Sequence, residues 1–353
     1  MLRSQASRSG RPEDRPRGGL YAPGRPDRPP YEDRSPYGTS GGAKSPIRQP
    51  GRIARPDTGN SPTVINNHEH ATGPAPHHQH DDATRNYYDT GDVDVFYDAV
   101  WGGEDIHVGI YADGHEAIAH ASHRTVEHAA DKAADLLGPH ATALDLGSGY
   151  GGSARALAER FGCRVAALDL SERHNQRHRA TNAQRGLDGL IEVTTGSLND
   201  LPYEAERFDL AWSLEVLCHV TDREGALGEA VRVLKPGGAL VFSDIMLAEG
   251  TPAEAVRPAF SRLGIENPAT PAFYLDRLSE LGLSDIDFED RTADLTTHYA
   301  RLDEEIHRRA AELRDVISPA YLDELLTNLP LWADITRRGL LRWGLFHARR
   351  PAA

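Results

Sequence analysis

The stretch Ala143-Leu-Asp-Leu-Gly-Ser-Gly-Tyr-Gly-Gly152 constrains the fold of this chain more than any other segment. A short apolar run at 141–146 ends in glycines at positions 147, 149, 151 and 152, and a helical pattern at 153–161 follows. This order predicts a strand, a tight turn and a helix. Glycines suit the turn because its dihedral angles are unusual and because a side chain would hold a ligand away from the backbone. The helix then offers unpaired N–H groups and the positive end of its dipole.

The glycine spacing alone leaves two kinds of ligand open. Gly147-x-Gly149-x-x-Gly152 also matches the dinucleotide fingerprint, and Asp169 lies near the distance where that fingerprint has an acidic residue. Asp145, however, lies two positions before the first glycine, where a pyrophosphate site should avoid a carboxylate. A carboxylate there suits the cationic amino-acid end of S-adenosylmethionine (SAM), and Asp169 can accept hydrogen bonds from both ribose hydroxyls. The segment therefore resembles the class I SAM-dependent methyltransferases.

Helical and apolar patterns alternate after the glycine turn, which indicates a parallel sheet with helices on both faces. Further strands are predicted at 165–170, 190–195, 208–213, 239–244, 286–291 and 340–348. The turn Lys235-Pro-Gly-Gly238 is similar to the one that leads into the fifth strand of methyltransferases. We expect a Rossmann-like α/β fold, namely a seven-stranded, mostly parallel sheet with a helical lid insertion and a disordered N-terminal tail.

Composition separates the tail from the rest of the chain. Residues 1–80 hold 13 of the 23 prolines, and we predict that they are disordered because they cannot bury enough apolar surface. The methyltransferase domain is predicted at 81–349. Within it we expect a cap at 81–140, the core sheet at 141–292 and 339–349, and a helical lid at 293–338 that packs over the glycine turn.

Charge and apolar content narrow the partners and the compartment. Residues 1–80 carry 12 Lys+Arg and 7 Asp+Glu, and the remaining residues carry 27 and 46. The acidic body argues against a nucleic-acid partner. The two cysteines lack the spacing of a metal site. No apolar run approaches 18 residues, and the sequence shows no apolar core of a signal peptide. We therefore expect a cytoplasmic protein that neither binds a metal nor contacts a membrane. We expect a small-molecule methyl acceptor, and the sequence leaves the oligomeric state undefined.

Segments in the cap and the lid narrow the resemblance to one family. The chain resembles the sarcosine/dimethylglycine N-methyltransferases of betaine synthesis in five segments, namely Asn86-Tyr-Tyr-Asp89, Trp101-Gly-Gly-Glu-Asp-Ile-His-Val-Gly-Ile-Tyr111, Asp145 to Gly152, Thr297-His-Tyr299 and Trp343-Gly344. The resemblance implies stepwise methylation of an amine on a small carboxylate, ending at a quaternary ammonium. The chain departs from the family pattern in its tail and at Leu214-Glu-Val-Leu-Cys218, which is more acidic.

Candidate cofactor residues follow from this fold, because ligands of open α/β sheets bind at the carboxyl ends of the strands. In the methyltransferase fold the loop after the third strand holds the adenine ring. In this chain the aromatic segments between residues 86 and 111 can form a cap over the cofactor, and Arg124, on the helix predicted at 116–137, can reach the SAM carboxylate. The candidates for binding SAM are Asp145, Gly147, Gly149, Gly151, Asp169, Leu170, Ser197, Leu198, Trp101, Arg124 and Tyr88.

Candidate catalytic residues follow from the chemistry of methyl transfer, in which the protein mainly aligns and desolvates the reactants. The accepting amine has a pKa of about 10 in water and must lose its proton. His219 and His298, with His107 third, can take that proton directly or through water, and Tyr299 offers an aromatic face to the developing cation. Partners for the acceptor carboxylate are sought among Arg257, Arg262 and Arg301.

Three other functions stay open on the sequence alone. The divergent end of the fourth strand and the tail are compatible with a C- or O-methyltransferase of a secondary metabolite. The glycines are compatible with a nicotinamide oxidoreductase. The third is a binding protein without catalysis.

Overall fold

A computed structural model describes residues 91–265 and 267–353. The predicted disordered tail at 1–80 and the Asn86–Asp89 segment, with Tyr88, lie outside the described residues. No helix in the described ranges is long and apolar enough to cross a bilayer.

The sheet has seven strands in the order β3-β2-β1-β4-β5-β7-β6. They are β1 (Thr142–Leu146), β2 (Arg164–Asp169), β3 (Ile191–Thr195), β4 (Phe208–Leu214), β5 (Leu234–Leu247), β6 (Ser284–Asp290) and β7 (Leu341–Arg349). Neighbouring strands from β3 to β5 are parallel, whereas β7 is antiparallel to both β5 and β6. The predicted seven-stranded, mostly parallel α/β sheet is therefore confirmed.

Helices cover both faces of this sheet. They are α1 (Gly91–Phe96, continued by a π-helical turn, Tyr97–Trp101), α2 (Ile118–Asp131), α3 (Gly152–Phe161), α4 (Glu172–Arg185), α5 (Arg223–Val233), α6 (Arg257–Phe260), α7 (Pro271–Glu280), α8 (Thr292–Leu313) and α9 (Pro319–Arg337). At the start of α4, α5 and α9 an N-cap side chain accepts a hydrogen bond from the N–H three residues later; these side chains are Ser171, Asp222 and Ser318. Such caps satisfy N–H groups that have no partner within the helix.

The start of β5 differs from the sequence-based expectation. The turn predicted at 235–238 lies within the strand, which begins at Leu234 instead of residue 239. Gly237 and Gly238 exchange backbone hydrogen bonds with Arg350, at 2.8 Å each, so pairing with the chain end after β7 extends the strand. A register shift between Phe208 and Leu210 of β4 accommodates the extra residues.

Alternating side chains of the strands divide the core into two layers. In β5, Val241 packs in the layer that includes α3, α8 and α9, and Phe242 packs in the layer with α5 and α7. The Phe242 ring stacks on Phe346 of β7 with centroids 4.6 Å apart. Each fully buried apolar side chain of this size stabilises the fold by about 1.5–3 kcal/mol, so packing on both faces fixes the sheet.

The segment predicted as a helical lid contains α8 and α9, which pack against each other and against the cap. Their apolar side chains are fully buried, as expected for an amphipathic pair; they are Leu302, Ile306, Leu313, Leu325 and Leu329. In α8, Asp294 accepts a hydrogen bond from the Tyr111 N–H at 3.1 Å, and Arg309 donates to the Ala99 carbonyl. We expected these helices to pack over the glycine turn, and the described contacts instead place them against the cap.

Candidate functional site

A cleft of about 950 Å³, its open mouth included, lies at the carboxyl ends of β1, β2, β3 and β4. The lining comes from the glycine turn, the loops after β2, β3 and β4, and the cap: Glu104, Ile106, His107, Gly147, Ser148, Gly149, Tyr150, Asp169, Leu170, Ser171, His174, Ser197, Leu198, Asn199, Leu214, Glu215, Val216, His219 and Val220.

The three predicted glycines of the turn adopt left-handed backbone conformations. Their φ angles are +73° at Gly147, +50° at Gly149 and +84° at Gly151. A Cβ on Gly147 would lie 2.4 Å from Val216, whereas a Cβ on Gly149 would meet nothing within 4 Å. Gly147 and Gly149 line the cleft, and Gly151 packs behind it on the ring of His178. The turn thus presents bare backbone to the cleft, which fits a ligand that approaches the main chain.

Asp169 ends β2 beside the glycine turn. Its Oδ2 accepts a hydrogen bond from the Gly149 N–H at 2.9 Å, and its Oδ1 accepts one from the Ser171 N–H at 2.9 Å. The side chain is 15% exposed, and the next residue, Leu170, also lines the cleft. Each carboxylate oxygen keeps a further lone pair, so Asp169 can still accept hydrogen bonds from two hydroxyl groups of a ligand.

Asp145 lies behind the glycine turn and is 2% exposed. Its Oδ2 has no hydrogen-bond partner within the part of the chain that the structure describes. Burial, together with the nearby carboxylates of Asp169 and Asp105, raises the pKa of this carboxyl to about 7. A buried carboxylate oxygen without a donor fits a cationic group bound close by or an ordered water between the two.

Ser197 and Leu198 line the cleft at the loop after β3, where the fold of methyltransferases places the adenine. Leu198 is buried and offers an apolar surface for a flat ring. The neighbouring Asn199 donates from Nδ2 to the Asp222 carbonyl at 2.7 Å, which ties this loop to the start of α5.

His107 brings the cap into the cleft. Its Nε2 lies 3.2 Å from Ser153 Oγ at the start of α3. Its carbonyl accepts hydrogen bonds from Trp101 Nε1 at 3.0 Å and from Ser122 Oγ at 2.8 Å. Burial lowers the pKa of His107 to about 4, so the ring is neutral at pH 7. Trp101 is not in the cleft lining, and its indole supports the His107 backbone from behind.

The four residues proposed for catalysis fall into two places. His107 and His219 line the cleft, and His219 ends a short 3-10 turn, Leu217–His219, that follows β4. His298 and Tyr299 are buried in the core behind the cap and are not among the lining residues. The structure therefore brings only the first two together with the glycine turn.

His298 and Tyr299 make contacts that support the cap and α9. His298 Nδ1 accepts from the Gly109 N–H at 3.1 Å and lies 3.0 Å from the Tyr111 hydroxyl. Burial lowers the pKa of His298 to about 3, so this ring is also neutral. The Tyr299 ring stacks on Trp332 at a centroid distance of 4.4 Å. Both side chains act through neighbours and do not reach the cleft.

The predicted arginines are paired with other groups. Arg124 donates to both carboxylate oxygens of Glu116, at 2.6 and 2.8 Å, and to the Ile110 carbonyl at 2.6 Å. Three arginines were proposed for the acceptor carboxylate. Arg257 pairs with Glu254, Arg262 donates to Asn328, and Arg301 pairs with Glu304. In the described ranges, no lysine or arginine lines the cleft, whereas three carboxylates do.

Sequence reasoning missed Tyr150, His174 and Glu104 as lining residues, and it noted Glu215 without a role. The Tyr150 hydroxyl donates to Asp94 Oδ1 of α1 at 2.5 Å, so the glycine turn is tied to the cap. The only signal for Glu215 was its position directly after an apolar strand. His174 and Glu104 had no distinguishing local pattern.

Comparisons with known proteins agree with this geometry. The family model described as "Methyltransferase domain" matches residues 144–242. The sarcosine/dimethylglycine N-methyltransferase of Halorhodospira halochloris is 45% identical over 269 residues, which cover 76% of this chain and 96% of that protein. The dimethylglycine N-methyltransferase of Parasynechococcus marenigrum is 41% identical over 271 residues, which cover 77% and 96%. A crystal structure described as a candidate sarcosine dimethylglycine methyltransferase from Galdieria sulphuraria superposes with a TM-score of 0.68 at 33% identity, covering 73% of this chain and 98% of that one.

Proposed function

The chain belongs to the family of the sarcosine/dimethylglycine N-methyltransferases, which are SAM-dependent enzymes, and on this premise we propose that it methylates the amine of sarcosine or dimethylglycine in betaine synthesis. The observation that carries the proposal is the 45% identity over 269 residues, because it covers nearly the whole length of a relative with that activity. The alignment includes far more than the shared methyltransferase domain at 144–242.

The cleft residues fit SAM. We assign its ribose to Asp169, its amino-acid end to the glycine turn with Asp145 behind it, and its adenine to the loop with Ser197 and Leu198. The bound cofactor supplies a methyl group already activated on a sulfonium. The chain supplies the alignment, and the bare backbone at Gly149 leaves room for close approach.

A cleft histidine assists the loss of the amine proton in this proposal. His107 is neutral at pH 7 because burial lowers its pKa to about 4, so its imidazole can accept a hydrogen bond from the amine or hold a water that takes the proton. His219 lines the same cleft and is the second candidate. His298, proposed from the sequence as a base, is now assigned to support of the cap through Gly109 and Tyr111.

The charge of the cleft favours cationic occupants. Glu104, Asp169 and Glu215 line it, and no lysine or arginine of the described residues does. Such a wall attracts a sulfonium and stabilises an ammonium product, which agrees with methylation on nitrogen. The cytoplasmic location, the disordered tail and the absence of a nucleic-acid partner stay predictions from the sequence.

Turnover with defined amines tests the function. Purified full-length protein with isotope-labelled SAM should convert sarcosine and dimethylglycine, with S-adenosylhomocysteine formed and the label on nitrogen. His107→Ala should lose activity, whereas His115→Ala, at an exposed position of the cap, is the matched control. Label found on carbon or oxygen of another acceptor would assign a C- or O-methyltransferase. Binding of NAD(H) without SAM in calorimetry would assign an oxidoreductase.

A further inference from the structure

Glu215 combines a cleft position with a strained backbone. It directly follows β4, lines the cleft and has a φ of +59°. In the described part of the chain, only Glu206 and Asp285 are other non-glycine residues with positive φ, and neither lines the cleft. Residues with a Cβ avoid this region, and strain of this kind persists at functional sites where the surroundings impose it.

The Glu215 carboxylate is bound by donors from three separate parts of the fold. Oε2 accepts from the Val108 N–H of the cap at 2.7 Å. Oε1 accepts from Trp343 Nε1 of β7 at 3.0 Å and from Ser243 Oγ of β5 at 3.1 Å. The Glu215 N–H also donates to the Ser243 carbonyl at 2.9 Å, which fixes the residue against β5. One side chain therefore joins the cap to two strands of the sheet.

The cap residue held by this carboxylate is adjacent to the cleft. Val108 follows His107, which lines the cleft, and precedes Gly109, whose N–H donates to His298. A Cβ on Gly109 would lie 2.5 Å from the Ala121 side chain, so this part of the cap lies close against α2. A shift of Val108 away from the sheet would therefore move His107 as well.

We propose that Glu215 is a positioning residue whose carboxylate clasps the cap to the sheet and thereby holds His107 in the cleft. The proposal deepens the proposed function and rests on it. The clasp gives the acidic residue of the Leu214-Glu-Val-Leu-Cys218 segment a role. Burial raises the pKa of Glu215 to about 7, and the three donors oppose this shift by favouring the carboxylate.

The clasp needs a carboxylate of this length. The Val108 N–H and the Trp343 indole N–H can only donate, and they contact different oxygens of Glu215. In Glu215→Gln the amide NH₂ must face one of these two donors, so one contact is lost. In Glu215→Asp the side chain is one methylene shorter, so it cannot reach both sides from the same backbone position.

The matched control is Glu206→Gln. Glu206 has the same φ of +59°, but its carboxylate pairs with Arg350 at the surface, away from the cleft. If both substitutions change hydrogen exchange and kcat alike, the change arises from the backbone conformation that the two positions share. If only Glu215→Gln changes them, the change arises from the clasp.

Two measurements on the full-length protein test the clasp without turnover. In ¹⁵N-labelled protein the four tryptophans give indole N–H resonances, and Glu215→Gln should shift that of Trp343. Hydrogen exchange of residues 104–111 should become at least tenfold faster in Glu215→Gln and stay unchanged in Glu206→Gln. Unchanged exchange and an unchanged Trp343 resonance would overturn the clasp, even if the acceptor proves to be a different amine.

Kinetics separate positioning from other roles. We expect kcat to fall about 10- to 100-fold in both Glu215→Gln and Glu215→Asp, because small misplacements of catalytic groups have effects of this size. The SAM Kd should stay within twofold of the wild type in Glu215→Asp, which keeps the charge of the cleft wall. The pH dependence of kcat should keep its shape, because His107 remains the base. Loss of the acidic limb in Glu215→Gln with rescue by Glu215→Asp would make Glu215 the base itself. Lower thermal stability with an unchanged kcat would mean a merely structural role. Either result overturns the proposal.

Discussion

Replacement of Asp169 by asparagine should weaken SAM binding more than any other isosteric change in the cleft. The Gly149 and Ser171 N–H groups contact different oxygens of Asp169, at 2.9 Å each. An asparagine has one acceptor oxygen, so its NH₂ must face one of these N–H groups. The substitution therefore removes the charge that we assign to ribose binding and also disturbs the turn.

The magnitude follows from the type of hydrogen bond that is lost. Hydrogen bonds to charged groups contribute about 1.5–3 kcal/mol each. Losing the charge-assisted part of ribose binding should therefore raise the SAM Kd about 10- to 150-fold, since 1.4 kcal/mol corresponds to a factor of ten. The mostly buried position of Asp169, with 15% exposure, keeps screening by solvent small.

Calorimetric titration of the full-length protein with SAM measures this effect, and Asp290→Asn provides the control. Asp290 also ends a strand, and its Oδ1 accepts from the N–H two residues later, Thr292, at 2.9 Å. It lies outside the cleft lining. A Kd for Asp169→Asn within twofold of the wild type, or equal weakening by both substitutions, would refute the assignment of the ribose to Asp169.

Three further predictions concern the buried acid, the core and the tail. Burial raises the pKa of Asp145 from 3.8 to about 7, so its contribution to stability is fully present below pH 4 and is lost as the pH rises to 7. The free energy of unfolding of the wild type, relative to that of Asp145→Asn, should therefore fall over this pH range. A constant difference between the two proteins would contradict the raised pKa of Asp145. Tyr299→Ala removes the ring that stacks on Trp332 and should lower the free energy of unfolding by about 3–5 kcal/mol in urea titrations, whereas Thr297→Ala, at a half-buried position two residues earlier, should change it by less than about 1 kcal/mol. Deleting residues 1–80 should leave kcat unchanged, and a loss of turnover would show that the tail belongs to the site.

The glycine turn and the mostly parallel sheet could be predicted because their signals are local. An apolar run followed by closely spaced glycines specifies strand, turn and helix within one segment, and alternating patterns then specify a mostly parallel sheet. The start of β5 could not be predicted in this way. It depends on hydrogen bonds with Arg350, more than one hundred residues away.

Side-chain partners set the limit for the site residues. Arg257 and Arg301 each have a glutamate three residues away, Glu254 and Glu304. For Arg301 this spacing lies within one helix, where it already favours a local ion pair over a role in the site. The donors to Glu215 come from positions 108, 243 and 343 and left no pattern in the sequence. Which histidines reach the cleft depends on the packing of the cap, and only the folded chain shows this.

The acidic wall of the cleft has a consequence for repeated transfer. A positive charge on sulfur disappears as a positive charge on nitrogen forms, so the number of charges between Glu104, Asp169 and Glu215 is the same before and after each step. The surrounding dipoles therefore need little reorientation as the charge migrates over a few ångströms. A cleft of this kind can serve a secondary and then a tertiary amine without rebuilding its electrostatics between rounds.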